Sequence, residues 1–157
     1  MAGALLHRAY GLGERGLGSE LSRFMQLVRE GDLPRARLLL RELVRRHPDY
    51  PDLHYLLGRL ELEQGYADDA VASLVQALEL NPTFHAARVE LAHALEALGQ
   101  IGMAEEQVQA VLQHDPAHPA ALQWQQRWAR RRTGAGTHMS LDRGEGSGQS
   151  RRRVSRP

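Results

Sequence analysis

Residues 51–82, PDLHYLLGRLELEQGYADDAVASLVQALELNP, decide the fold. Leu53, Leu56, Leu57 and Leu60 recur at three- and four-residue spacing, the period that places side chains on one face of an α-helix. Gly65 follows, a residue that can adopt the positive φ with which many helices end. A second periodic run, Ala70, Val71, Leu74, Ala77 and Leu78, begins just after Asp68, a candidate N-cap. Asn81-Pro82 closes that run, because proline cannot continue the hydrogen-bond ladder and disfavours helical geometry in its predecessor. The stretch reads as two short helices joined by a tight turn.

The same landmarks stand 34 residues to either side. Gly31, Gly65 and Gly99 share this step, as do Ala36, Ala70 and Ala104, and Pro48, Pro82 and Pro116. The apolar positions keep register with them: Leu40, Leu74 and Val108; Leu43, Ala77 and Val111; Val44, Leu78 and Leu112. One supersecondary unit is therefore written three times, over 17–50, 51–84 and 85–118. Residues 1–16 form an N-terminal extension. Residues 119–132 read as one more helix, with Ala121, Trp124 and Trp128 on one face suited to covering the end of the third unit. Gln125 and Gln126 stand where a further unit would need Leu and Gly, so the array is expected to stop there. Residues 133–157 are rich in Gly, Ser and Arg and nearly devoid of apolar side chains; such a tail cannot repay its ordering entropy and is expected to be disordered.

These units resemble the tetratricopeptide repeat family on Leu57-Gly58, Gly65, Ala70, Leu74, Ala77 and Pro82, and again on Leu91-Ala92, Gly99, Ala104, Val108 and Pro116. The resemblance covers residues 17–118. It implies an all-α, right-handed α-solenoid of three helix pairs, completed here by the capping helix. Small residues at Gly58, Ala70, Ala77, Ala92 and Ala104 fit places where helices approach closely. Departures are confined to particular positions. Glu20, His54 and Arg88 stand where the first helix of such a unit carries an aromatic, and Arg23-Phe24 replaces Leu-Gly in the first unit, which implies a looser terminal unit. Glu61 occupies a place often held by Tyr, which is expected to weaken packing in the second unit.

Composition narrows the chemistry. The 157 residues contain no Cys and no Lys, which excludes disulfides, thiolate metal sites, a Cys nucleophile, a Schiff base and a P-loop lysine. His114 and His118 are separated by helix-breaking Pro116, and His54, His85 and His93 lack ligand spacing, so no metal site and no cofactor is expected. Asp68-Asp69 and Glu105-Glu106 open second helices, where the helix dipole favours carboxylates without any catalytic role. No nucleophile–base set is present. An enzyme is not expected. No apolar run reaches membrane-spanning length, and the start of the chain does not read as a signal peptide; a cytoplasmic protein is expected.

The resemblance implies a concave groove lined by the first helix of each unit, in which a partner peptide or helix would lie. Carried onto this sequence, the groove positions are Leu21 and Met25, then Tyr55, Arg59 and Leu62, then Val89 and His93. A mostly apolar lining with one Arg and one His suits a partner helix or an extended apolar segment. The carboxylate clamp of the chaperone-binding members is not expected, because Leu21, Met25, Leu56, Ala86 and Glu90 occupy its places. The function expected is a protein-interaction adaptor or scaffold.

Charge suggests an alternative. Residues 1–50 carry nine Arg against six acids, residues 51–118 two Arg against eleven, and residues 119–157 nine Arg against two. The runs Arg130, Arg131, Arg132 and Arg151, Arg152, Arg153 would serve a nucleic-acid-associated or anionic-surface-binding factor. No aromatic residue accompanies the distal run, so sequence-specific readout is not expected there. A tail of this sign could equally fold back onto the acidic middle units.

Overall fold

The computed structural model describes residues 15–136; the N-terminal extension up to residue 14, and the tail from residue 137 with Arg151, Arg152 and Arg153, lie outside the described residues. Among the described residues seven helices follow one another: α1 Arg15–Arg29, α2 Leu33–Arg46, α3 Pro51–Glu63, α4 Ala67–Leu80, α5 His85–Ala97, α6 Ile101–His114 and α7 Pro119–Gly136. Each helix packs chiefly on its neighbours in sequence, as a right-handed α-solenoid requires. Gly31, Gly65 and Gly99 have φ of 76°, 82° and 75°. Each lets the next residue donate its N–H back into the first helix of its unit, as Tyr66 does to the Glu61 carbonyl at 2.9 Å.

Two boundaries differ from the sequence reading. α1 begins at Arg15, two residues before the expected start of the first unit, and buries Leu17. α7 continues to Gly136, four residues past the expected end. Asp68 is not a cap either. α4 starts at Ala67 with Tyr66 as N-cap and no side-chain cap bond, which places Asp68 inside the first turn.

The core is a line of small and branched side chains, with Ala36, Leu40, Leu43, Ala70, Leu74, Ala77, Ala104, Val108 and Val111 fully or almost fully buried. How closely each pair of helices approaches follows one position, occupied by Phe24, Gly58 and Ala92 in turn. The helices run closest in unit two, less close in unit three and least close in unit one. A Cβ at Gly58 would lie 2.6 Å from Leu74 Cγ, whereas Phe24 fills the same place with a buried ring. That ring accounts for the looser terminal unit.

Glu61 does not weaken the second unit. The residue is 1% exposed and both carboxylate oxygens are engaged: Arg41 donates from Nε at 3.3 Å and Nη2 at 2.9 Å to Oε1, and Ser73 Oγ donates at 2.7 Å to Oε2. The Arg41 Nη2 also donates to Asp69 Oδ2 at 2.9 Å. The hydrogen bond to Glu61 is the main cause that raises the Arg41 guanidinium above its ordinary pKa, against the opposing effect of burial. A buried carboxylate is tolerable only when it is paired in this way, and the network stitches α2 to α3 and α4. Glu61→Ala is expected to lower stability by about 2 kcal/mol, since it leaves the Ser73 hydroxyl without its partner and a cavity behind. Arg41→Ala, which strands the buried charge, should cost about as much or more. Chemical denaturation of the two variants and the double variant checks this; a double-mutant coupling near zero would contradict it.

Candidate concave groove

Side chains of the odd-numbered helices meet from α3 to α5 and from α5 to α7. On α3, the Tyr55 ring lies 4.9 Å from the Phe84 ring, centroid to centroid, and the Arg59 guanidinium stands 5.8 Å from the Tyr55 ring centroid. Burial is the leading cause that pushes the Tyr55 phenol up; Arg59 pulls it down and Glu90 adds to the rise. Arg59 Nε also lies 3.7 Å from Glu90 Oε1 on α5, and His93 Nδ1 lies 3.5 Å from the other Glu90 oxygen. A shallow depression of about 560 Å³ continues from His93 to α7, lined by Ala120, Gln123, Trp124, Gln126, Arg127 and Arg130. At its rim Glu96 accepts from Arg127 and Arg131, each at 2.6 Å.

Of the expected groove residues, Tyr55, Arg59 and His93 come together around Glu90. Leu62 is half-buried against the same core, while Leu21 and Met25 pack on the core of the first unit. Val89 is different. It is only 4% exposed: it shares the register of Tyr55, but its short side chain does not reach past the packed neighbours, so it supports the groove without lining it. Arg130, read from sequence as part of a basic run, lies in the depression beside His93. Arg131 and Arg132 are turned to Glu96 and Glu105.

Gln123, Arg127 and Glu90 were not among the residues expected to bind a partner. The signal for the first two was present: Met25, Arg59, His93 and Arg127 are successive 34-residue steps, as are Leu21, Tyr55, Val89 and Gln123. The rings of His85, His114 and His118 also gather, with His85 5.8 Å from His114 and 6.2 Å from His118. Among the described residues no group of three His, Asp or Glu side chains is arranged to hold a metal ion, and no helix is long and apolar enough to cross a membrane.

Two family models, both described as tetratricopeptide repeat, match residues 21–83 and 61–127. The chain belongs to the tetratricopeptide repeat family. Solved structures agree on the fold of this repeat array. The second tetratricopeptide domain of human RPAP3, in complex with the HSP70 peptide SGPTIEEVD, is similar at 21% identity and a TM-score of 0.63, over 67% of this chain and 88% of that one. The first such domain of Spaghetti (RPAP3), bound to the HSP90 peptide SRMEEVD, shares 16% identity with a TM-score of 0.67, over 73% and 91%. The Arabidopsis OM64 domain shares 13% identity with a TM-score of 0.67, over 72% and 93%.

Proposed function

We propose that this protein is a non-catalytic adaptor or scaffold, acting in the cytoplasm, which holds a partner peptide or helix in its concave groove. The observation that carries the reading is the cluster Tyr55, Arg59, Glu90 and His93 on adjacent inner helices, continued by Gln123, Arg127 and Arg130. It offers an aromatic edge, half-buried apolar side chains and cations already beside carboxylates. Groups of that kind exchange an internal partner for an external one at little cost, which suits peptide recognition. Tetratricopeptide domains of similar fold are bound to HSP70 and HSP90 peptides, which supports a peptide ligand for this groove as well. Glu90 stands at one of the places where the chaperone-binding members carry their clamp, and it brings a carboxylate. The ligand expected here is therefore an internal segment or helix and not a carboxyl terminus.

The pairing of Arg131 and Arg132 with Glu96 and Glu105 weighs against the alternative, a factor that binds nucleic acid through its arginine runs. Affinity capture at low and high salt tests the choice, with the full chain, an Arg59→Glu/His93→Glu variant and an Arg151→Ser/Arg152→Ser/Arg153→Ser variant as baits. A protein that is retained at high salt and lost only with the groove variant is the expected result. Both substituted residues are at least partly exposed, so the thermal unfolding of that variant should stay within a few degrees of the parent. Recovery of nucleic acid alone, abolished by salt and by the tail variant, would overturn the proposal.

A further inference from the structure

We propose that the face of unit one directed away from unit two is a second docking surface, for an acid-bearing amphipathic helix of a partner protein. It is independent of the concave groove. Arg23, Leu27, Arg35, Leu38 and Leu39 line a shallow groove of about 390 Å³ between α1 and α2. Leu38 is 65% exposed, more than any other large apolar side chain among the described residues.

The internal repeat tells what such a face does. One 34-residue step along the chain, the same five positions are Leu57, Glu61, Asp69, Ala72 and Ser73. In unit two Leu57, Glu61, Asp69 and Ser73 form the seat of α2, while Ala72, at the place of Leu38, is exposed. Leu57 shares a core cluster with Leu40 and Leu43, Glu61 and Asp69 take the Arg41 guanidinium, and Ser73 holds Glu61. The groove in unit one is thus the copy of a helix-receiving seat, and among the described residues no helix precedes α1.

Within the array, the seat and the helix it receives are matched in kind. Arg41 meets Glu61 and Asp69. One step later its register position is Val75, and the corresponding seat positions are Leu95 and Met103. Where the received helix carries charge the seat answers with opposite charge, and where it carries an apolar residue the seat positions in the sequence are apolar too. The seat in unit one presents Leu27 and Arg35 at those positions, with Arg23 in place of Leu57. Arg35 is 77% exposed and only loosely tied to Asp32 at 3.4 Å. Arg23 is exposed and makes no ion pair with the described residues. The fitting occupant carries apolar residues for Leu27, Leu38 and Leu39 and carboxylates for Arg23 and Arg35.

Two fluorescent peptides of residues 33–46, the helix that fills the seat in unit two, serve as probes: one native, one carrying Arg41→Glu. Titrated with the full chain, the Arg41→Glu peptide should bind about fivefold tighter, the scale of one exposed ion pair. Arg35→Glu in the protein should reverse that order, and Leu38→Glu should abolish both signals without changing the helical circular dichroism. The Arg59→Glu/His93→Glu variant should bind both peptides as the parent does; loss there would assign the peptides to the concave groove and overturn the proposal. A ranking indifferent to Arg35, or no binding at all, would overturn it too. So would binding that appears only after Leu5→Asp/Leu6→Asp, which would make residues 1–14 the occupant. A parent dimer in sedimentation that Leu38→Glu dissolves would assign the face to a second copy instead.

Discussion

Gly58→Val should destabilise the protein by on the order of 3 kcal/mol, the upper end of the ordinary overpacking range. The first added carbon would sit 2.6 Å from Leu74 Cγ, 3.1 Å from Leu74 Cδ2 and 3.2 Å from the Ala70 carbonyl oxygen. Leu74 is fully buried, so its branch point cannot swing into solvent, and the carbonyl belongs to the α4 ladder. Relief must come from moving α4 off α3, which loosens the tightest helix pair in the array. Gly58→Ala should lose less, about 1 kcal/mol, because helix propensity returns part of the packing cost. Unit three shows the accommodation: Ala92 stands at the same position and its helices lie further apart. Gly102→Ala, where nothing lies within 4 Å of the new carbon, should stay within about 0.5 kcal/mol of the parent. Thermal unfolding separates the three, since each kcal/mol corresponds to roughly 3 °C in a chain of this size. A Gly58→Val variant that melts with the parent would refute the close approach of α3 and α4.

The fold was legible because an array of identical pairs must place the same small, large and turn residues at the same point of every unit. Positive-φ Gly31, Gly65 and Gly99 and the buried series Ala36, Ala70 and Ala104 were visible as spacing before any coordinates. What stayed hidden were relations with no period. Glu61 meets Arg41 from 20 residues away in the preceding unit, and only the packed structure shows that this carboxylate is paired. Asp68 looked like a cap because local sequence cannot place a helix start to within a residue or two. The groove was half legible. Register located Tyr55, Arg59 and His93, but exposure also depends on side-chain length, which removed Val89. Reading 119–132 solely as a cap concealed that Gln123, Arg127 and Arg130 continue the inner surface.

That double role makes α7 the place where stability and the candidate site meet. Trp124 is 2% exposed, belongs to the main core cluster with Val108, Val111 and Ala121, and stacks on Trp128 with ring centroids 5.9 Å apart. Trp124→Ala should therefore remove about 3–5 kcal/mol of packing, the usual loss for a buried indole. The full loss need not appear in global unfolding, however. In an array whose units touch only their neighbours, a terminal helix can leave while the rest stays folded. Once the docking energy of α7 is used up, the variant is expected to release that helix instead of unfolding units one and two. Hydrogen exchange should then show α7 and the facing surface of α6 losing protection, with α2 to α4 nearly unchanged. Trp124→Phe should be much milder: the ring is largely kept, and the indole N–H it removes is buried without a hydrogen-bond partner among the described residues. Uniform loss of protection across all helices in Trp124→Ala would contradict the unit-by-unit picture. Local release would also remove Gln123, Arg127 and Arg130 from beside His93, so a ligand lying along the whole groove should bind Trp124→Ala weakly at temperatures where its first two units are still intact.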